Sequence, residues 1–362
     1  MPTSPAPASP SPQPQTNQQP ANPPPQVILY QRGAFSRFWG WLGWAGLAIC
    51  LVVLLGQWIS LYDYFDNSGG ITEKYVQGKE FAQDKVAVLS IEGVIMEGDG
   101  FVKRQIDRIR DDENVKAIVV RVDSPGGTVT GSDYIYHHLT RLRKEKQVPM
   151  VVSMGSIAAS GGYYVSMAVG DQKDAIYAEP TTTTGSIGVI IPHYDVSGLL
   201  ARYDVKDDSI ASHERKQMLA MTRPIPPEHR EIIQQHVNAM FERFKTIIKE
   251  GRPAFRKDPE ALEKLATGEV FTTDQALESK LIDKIGFIEE AIARAHELAG
   301  LDAKNTRVVE YNRPAALIDF YGVADARQAA GMDLAQLLDL SAPRGWYLAT
   351  SLPAIVASPR AD

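Results

Sequence analysis

The sequence predicts an α/β protein with a parallel β-sheet, βαβ units and flanking helices, behind one N-terminal transmembrane helix. Apolar, β-branched runs at 86–91, 117–122 and 148–153 are typical of strands, and segments with helical spacing at 102–112 and 131–146 separate them. Such alternation favours right-handed crossovers, which join parallel strands. The second run is almost continuously apolar, as expected for a strand that is covered on both faces.

The same pattern continues toward the C-terminus. Short apolar runs at 175–178 and 186–191 predict two more strands. Apolar residues at three- and four-residue spacings behind Pro226 predict a long amphipathic helix that docks on the sheet. Two further helices are expected at 273–281 and 287–299.

These elements predict one globular domain at 85–300. The polar segment at 63–84 is predicted to be a tether, and 301–362 is expected to be a C-terminal extension, to which the pattern assigns no structure. The net charge of −6 provides no basic stripe for phosphates, so nucleic acid is not an expected partner. The single cysteine, Cys50, excludes an internal disulfide framework and a cysteine-rich metal site.

The N-terminal region predicts a membrane anchor. Residues 1–37 are rich in proline and are expected to form a disordered cytoplasmic tail. No charged residue occurs at 38–62, and a helix of that length spans roughly 37 Å, which is enough to cross the lipid bilayer. Arg32 and Arg37 precede the span, so we expect the N-terminus in the cytoplasm and the domain outside. A cleaved signal peptide is the alternative, but no small-residue cleavage site follows the span.

Ser160 is the candidate nucleophile. It lies where an apolar run ends in small residues and glycines and a helix is predicted to begin, so backbone N–H groups there favour a developing negative charge. Three glycine-containing turns, at 123–127, 159–162 and 184–188, follow strand-like runs and are expected to meet at the carboxyl edge of the sheet. Gly127 or its neighbour can expose a backbone N–H, although these glycines could equally serve only to close tight turns.

The base that would activate this serine is left open by the residues themselves. Five of the seven histidines fall on predicted helices, and the other two, His193 and His213, have no recognisable acid motif beside them. A lysine that is desolvated can also act as a neutral base. Lys216 is the ambiguous lysine candidate, because the others considered belong to helix surfaces or lie beside aspartates.

Three motifs carry a resemblance to a known family. They are Asp-Ser-Pro-Gly-Gly at 123–127, Ser-Met-Gly-Ser-Ile-Ala-Ala-Ser-Gly-Gly-Tyr-Tyr at 153–164 and Thr-Gly-Ser-Ile-Gly-Val at 184–189. In their order and spacing, the segment from about 86 to 300 resembles the signal peptide peptidase A (SppA) family. Members of that family are membrane-anchored bacterial serine proteases with the ClpP/crotonase-like fold, and the match is to the short, single-domain form.

The resemblance implies roles for particular residues. The family nucleophile falls on Ser160, its general base on Lys216, and the serine that orients the lysine on Ser186. The oxyanion hole would be formed by the N–H groups of Gly127 and Ser160. The segment around Lys216 departs from the family, because it lacks the glycine and the aspartate that usually flank the base, and Arg215 could compete for the position.

The function that the resemblance implies is a serine endopeptidase without a cofactor or metal. Its substrates would be remnant signal peptides or other unfolded apolar segments, hydrolysed through an acyl-enzyme at a bacterial cell (inner) membrane, outside the cytoplasm. Such proteins form homo-oligomers whose active sites are shared between protomers. The alternatives are a catalytically silent peptide-binding scaffold of the same fold, and a crotonase-like acyl-CoA enzyme, which a domain outside the cytoplasm disfavours.

Overall fold

A computed structural model describes residues 34–65, 71–312 and 345–348 of the chain. The chain divides into two compact units, Met1–Tyr64 and Phe65–Asp362. Helix α1, Ala34–Phe65, lies in the first unit except for its last residue, so the helix predicted over 38–62 is present.

The membrane role of that helix stays a prediction. In the part of the chain that the structure describes, no helix is both long enough and apolar enough to cross a membrane. The side chains of α1 are described only from 43 to 58, so the side chains at both ends of the predicted span lie outside the described residues. Residues 1–33 of the predicted tail also lie outside them.

In the second unit, a nine-stranded sheet has the order β1-β10-β2-β3-β5-β6-β9. Strand β7 pairs with the end of β5, and β8 pairs with β7. Most neighbouring strands are parallel, which confirms the predicted α/β sheet, while β1 and β8 are antiparallel to their partners and β11 pairs with β4 in a separate two-stranded sheet. The strands are β1 Thr72–Gly78, β2 Lys85–Glu92, β3 Val115–Ser124, β4 Gly126–Thr128, β5 Met150–Ala159, β6 Ile176–Ala178, β7 Thr183–Gly185, β8 Val270–Thr272, β9 Lys284–Ile285, β10 Arg307–Asn312 and β11 Trp346–Leu348.

Helices cover both faces of the sheet. On β3, Ile118, Val120 and Val122 pack into the larger core, and Ala117 and Val119 into a smaller one with α10, which explains the continuous apolar run of this strand. The helices after α1 are α2 Phe101–Asp111, α3 Val129–Lys146, α4 Gly161–Ser166, α5 Ser197–Arg202, α6 Pro227–Gly251, α7 Pro253–Lys257, α8 Pro259–Leu265, α9 Thr273–Glu278 and α10 Ile288–Ala299, with short 3-10 turns at Met167–Val169 and Glu214–Gln217.

Two features differ from the sequence prediction. The strand expected at 186–191 is wrong, because β7 ends at Gly185 and Ser186 turns the backbone away with a positive φ of 51°. The sheet also extends beyond the predicted domain limits of 85–300. Strand β1 lies in the segment predicted as a tether and pairs with β10, which lies in the segment predicted as an extension.

Candidate active site

Ser160 lies on a sharp turn between strand β5 and helix α4. Its backbone has φ 54° and ψ −112°. A residue with a side chain rarely adopts a positive φ, and a conformation of this kind costs about 1–3 kcal/mol. The surrounding packing therefore holds Ser160 in a strained geometry, as is typical of a nucleophile that a strand-to-helix turn presents at a sheet edge.

The hydroxyl of Ser160 is buried and has no hydrogen-bond partner. The residue is 1% exposed, and Oγ accepts and donates no hydrogen bond among the described residues. A buried polar atom without a partner costs about 1–3 kcal/mol, so such atoms are uncommon and often belong to functional sites. Strain and an unpartnered hydroxyl thus coincide at the residue that the sequence predicted as nucleophile.

The glycine turns predicted at 123–127 and 159–162 meet at this serine. A Cβ added to Gly126 would lie 2.6 Å from the backbone nitrogen of Gly161, and one added to Gly161 would lie 2.4 Å from Oγ of Ser132. A Cβ on Gly127 would lie 1.9 Å from the carbonyl oxygen of Ile95. Close packing of the backbone therefore requires glycine at these positions. Main-chain atoms lie against the turn that carries Ser160, which is named the nucleophile turn.

One of the two predicted oxyanion donors is engaged elsewhere. The N–H of Ser160 donates a hydrogen bond of 2.7 Å to the carbonyl of Gly185, so this N–H is not free. Gly161 is the first residue of α4, and the first N–H groups of a helix have no acceptor within it. Gly161 was not among the predicted donors, although its position directly after a candidate nucleophile at a helix start could have indicated it.

Ser186 lies close to the nucleophile turn. Strand β7 pairs with β5 so that Gly185 lies opposite Ala159, which brings the residues that follow both strands to the same edge. Ser186 is buried, and its N–H donates to the carbonyl of Glu269 at 2.7 Å. Ser160 and Ser186 therefore lie at the same edge of the sheet.

Lys216 is not joined to Ser160. It lies in the 3-10 turn Glu214–Gln217, its side chain is exposed, and its N–H donates to the carbonyl of His213 at 3.0 Å. Since Oγ of Ser160 has no partner among the described residues, neither this lysine nor a histidine is hydrogen-bonded to it. His193 instead lies 3.4 Å from the carbonyl of Ala220.

A short segment of the chain's own C-terminal region lies along β4. Strand β11 runs antiparallel to β4 with Tyr347 opposite Gly127, and on its other side Trp346 and Ile190 exchange backbone hydrogen bonds of 3.1 and 2.9 Å. The β4 edge beside the nucleophile turn can therefore pair with an extended segment through main-chain hydrogen bonds, which do not depend on sequence.

A buried aromatic cluster lies beside this edge. The ring of Tyr347 is buried and stacks on Tyr164, with centroids 5.1 Å apart, and it contacts the ring of Phe244 in a tilted arrangement at 4.6 Å. The hydroxyl of Tyr347 donates to the carbonyl of Met240 at 2.8 Å. Burial raises the pKa of Tyr347, and burial together with a hydrogen bond to Asp133 raises the pKa of Tyr164, so both rings stay neutral and apolar in character.

In fold and site, the molecule resembles the class of α/β enzymes that carry a nucleophile on a sharp strand-to-helix turn, with Ser160 in the candidate position. Comparison with known proteins defines it further. A family model described as Peptidase family S49 matches residues 142–302. A putative signal peptide peptidase SppA of Enterococcus faecium is 33% identical over 240 residues, which cover 63% of this chain and 67% of that protein.

Two longer proteins are also similar. Protease 4 of Salmonella typhi is 35% identical over 60% of this chain and 35% of its own length. The chloroplastic serine protease SPPA of Arabidopsis thaliana is 31% identical over 70% of this chain and 38% of its own length. The chain thus spans well under half of these two relatives. It belongs to the SppA family of S49 peptidases, which confirms the resemblance that its motifs predicted.

Proposed function

We propose that this peptidase is a membrane-anchored serine endopeptidase that works by a Ser160/Lys216 dyad. The observation that carries the proposal is the buried, unpartnered hydroxyl of Ser160 on a strained turn. Its substrates are remnant signal peptides or other unfolded apolar segments, and no cofactor or metal takes part in the chemistry.

The reaction proceeds in two steps at Ser160. Neutral Lys216, oriented by Ser186, takes the hydroxyl proton as Oγ attacks a peptide carbonyl, and the proton then passes to the leaving amine. Water hydrolyses the acyl-enzyme in the second step. The N–H groups of Gly127 and Gly161 stabilise the oxyanion once the substrate takes the place of β11, whose Tyr347 pairs with Gly127. Gly161 replaces Ser160 in this role because the N–H of Ser160 is donated to Gly185.

The substrate binds as an extended strand along β4. This edge pairs with β11 in the structure, and a substrate strand would use the same main-chain groups. Where the substrate strand takes the place of β11, the space that Tyr347 fills beside Tyr164 and Phe244 favours an apolar side chain, since such a side chain gains by leaving water. A segment can pair in this way only where its own main-chain groups are not already engaged in secondary structure, so unfolded segments are the favoured substrates.

Assembly into a homo-oligomer completes the site. The segment between β7 and α6 carries large apolar side chains that are exposed, including Tyr194, Tyr203 and Ile210. Burial of these side chains against a second copy would remove apolar surface from water. Lys216 lies in the same exposed segment, so an active site shared between protomers brings the lysine of one copy to the serine of another.

Helix α1 anchors the enzyme in a bacterial cell membrane. Its described apolar side chains, such as Trp44, Leu51 and Trp58, are exposed, which suits a lipid environment. In this proposal the single span at 38–62 leaves the tail at 1–37 in the cytoplasm, and 63–84 leads to the protease domain on the other side. Residues 301–362 supply strand β10, which lies between β1 and β2, and strand β11, which pairs with β4, to that domain.

Labelling with a fluorophosphonate probe tests whether Ser160 is a reactive nucleophile. The full chain should be labelled at one serine, and Ser160→Ala should abolish the label, while Ser166→Ala, a buried serine whose hydroxyl already bonds the carbonyl of Gly162, should keep it. An unlabelled oligomer that still binds peptides would identify a silent scaffold instead. Hydrolysis of acyl-CoA with none of peptides would identify a crotonase-like enzyme.

A further inference from the structure

We propose that Glu214, Glu228 and His229 form a binding site for a divalent transition-metal ion, with Zn²⁺ as the best-suited ion. The site lies between the 3-10 turn Glu214–Gln217 and the first turn of helix α6, Pro227–Gly251. One ligand atom from each of the three side chains lies within 4.8 Å of the other two.

His229 provides the observation that points to a ligand. The residue is 5% exposed, and its Nε2 is buried without a hydrogen-bond partner among the described residues. The nearest carboxylate oxygen, Oε1 of Glu214, is 4.0 Å away, which is too long for a hydrogen bond. A buried imidazole nitrogen that faces two carboxylates without bonding either of them is accounted for by an ion between them.

The distances suit a zinc ion. Zinc binds imidazole nitrogen and carboxylate oxygen at about 2.0–2.2 Å, so neighbouring ligand atoms around a tetrahedral ion are about 3.4 Å apart. The ligand atoms lie within 4.8 Å of one another, with 4.0 Å between Nε2 of His229 and Oε1 of Glu214, so the side chains have to move closer together to bind the ion. Both glutamates are exposed at this site, so their side chains can move to close it.

The ligand chemistry also selects the ion. Two carboxylates balance the charge of a divalent cation, and an imidazole ligand favours Zn²⁺ over Mg²⁺ and Ca²⁺, which prefer oxygen ligands. Three protein ligands leave the fourth position to water. The ion has no part in the peptidase chemistry, so this inference does not depend on the proposed function.

The bound ion would fasten the 3-10 turn to α6. Glu214 belongs to this turn, whereas Glu228 and His229 belong to the helix, so coordination joins two segments. Metal coordination of this kind acts as a cross-link that restricts the loop between its ligands. Because Lys216 lies in the same turn as Glu214, the ion would also fix the position of Lys216 relative to α6.

Calorimetric titration of the full, untagged chain with Zn²⁺ tests the site. We expect one equivalent per chain, and His229→Asn and Glu228→Gln should each weaken binding by about tenfold or more. His236→Asn is the matched control, because His236 is an exposed histidine on the same helix. It should leave the affinity unchanged, and Mg²⁺ should not compete. Zn²⁺ should also slow hydrogen exchange at 212–220 in the wild-type chain and in His236→Asn, but not in His229→Asn or Glu228→Gln.

The outcomes that overturn the site are equally specific. Equal Zn²⁺ affinity in the wild-type chain and in Glu228→Gln would show that this carboxylate is not a ligand. If His236→Asn lost as much Zn²⁺ affinity as His229→Asn, surface histidines would be binding the ion nonspecifically. Glu214→Gln serves where the substitution of buried His229 prevents folding. Since the titration, the Mg²⁺ competition and the hydrogen-exchange experiment do not measure peptidase activity, failure of the peptidase proposal would not affect them.

Discussion

The N–H of Ser160 donates a hydrogen bond to the carbonyl of Gly185 at 2.7 Å. In the pairing of β5 with β7, Gly185 lies opposite Ala159, so this bond extends the pairing by one residue, to Ser160 itself. It ties the serine backbone to the turn that carries Ser186 and leaves Oγ as the group of Ser160 that remains without a partner. Strain at Ser160 is therefore maintained by a specific hydrogen bond, and it can be measured by substitution.

Substitution of Ser160 by glycine should relieve this strain. Glycine adopts a positive φ without a steric penalty, whereas alanine keeps a Cβ in the strained conformation. We expect Ser160→Gly to be more stable than Ser160→Ala by about 1 kcal/mol in urea denaturation, and both to be inactive. Equal stability of the two variants would show that the turn is not strained.

An added methyl group at Gly161 should disrupt the oxyanion hole. The Cβ of Gly161→Ala would lie 2.4 Å from Oγ of Ser132 and 3.1 Å from the nitrogen of Gly127, so the two turns must separate. We expect kcat to fall about 10²–10³-fold, as for the loss of one oxyanion donor, with little change in KM.

Gly198→Ala provides the matched control for this substitution. A Cβ at Gly198 meets no atom within 4 Å, so its activity should equal that of the wild type. If Gly161→Ala retained wild-type kcat, the assignment of this backbone N–H to the oxyanion hole would be wrong.

Removal of β11 should make the β4 edge more accessible to peptides. A chain that ends at residue 344 lacks Trp346–Leu348, which pair with Gly126–Thr128. Because β11 and a substrate strand would pair with the same main-chain groups, we expect a lower KM for peptide hydrolysis with kcat unchanged. A chain that ends at residue 348 keeps the strand and should behave as the wild type. Loss of activity only in the shorter chain would mean that β11 forms a wall of the site.

Mixed oligomers test whether active sites are shared between protomers. Ser160→Ala and Lys216→Ala subunits are each inactive in the proposal, but co-assembly would place an intact serine beside an intact lysine from the neighbouring subunit. Random mixing in equal amounts should restore about one quarter of the wild-type activity, because each residue is intact at half of the sites. No restored activity in a mixed oligomer of normal size would place both residues in one protomer.

The sequence predicted the part of the site that depends on local chemistry. The small residues and glycines around Ser160 indicated a strand-to-helix turn, because only such residues permit the observed close approach of backbones. The apolar run at 186–191 led to a strand prediction that is wrong. Ile187 is fully buried, so the residues are apolar for packing, but the periodicity of side chains does not report the backbone turn at Ser186.

Pairing between strands that are distant along the chain could not be predicted from the sequence. Strand β10 pairs with β2 and β1, and β11 with β4, over separations that no local pattern encodes. The occupied N–H of Ser160 depends on the register of β7 and was equally invisible. Lys216 lies in an exposed segment without periodicity, so the residues alone left it an ambiguous candidate and the family resemblance favoured it.

Peptide hydrolysis by matched lysine variants tests the central claim most directly. The full chain is compared with Ser160→Ala, Lys216→Ala and Lys206→Ala, where Lys206 is an exposed lysine in the same segment, and the oligomer size of each is checked. The proposal predicts that kcat/KM falls by about 10²–10⁴-fold or more in the first two variants and stays at the wild-type level in the third. Full activity in Lys216→Ala, with none in Ser160→Ala, would contradict the dyad.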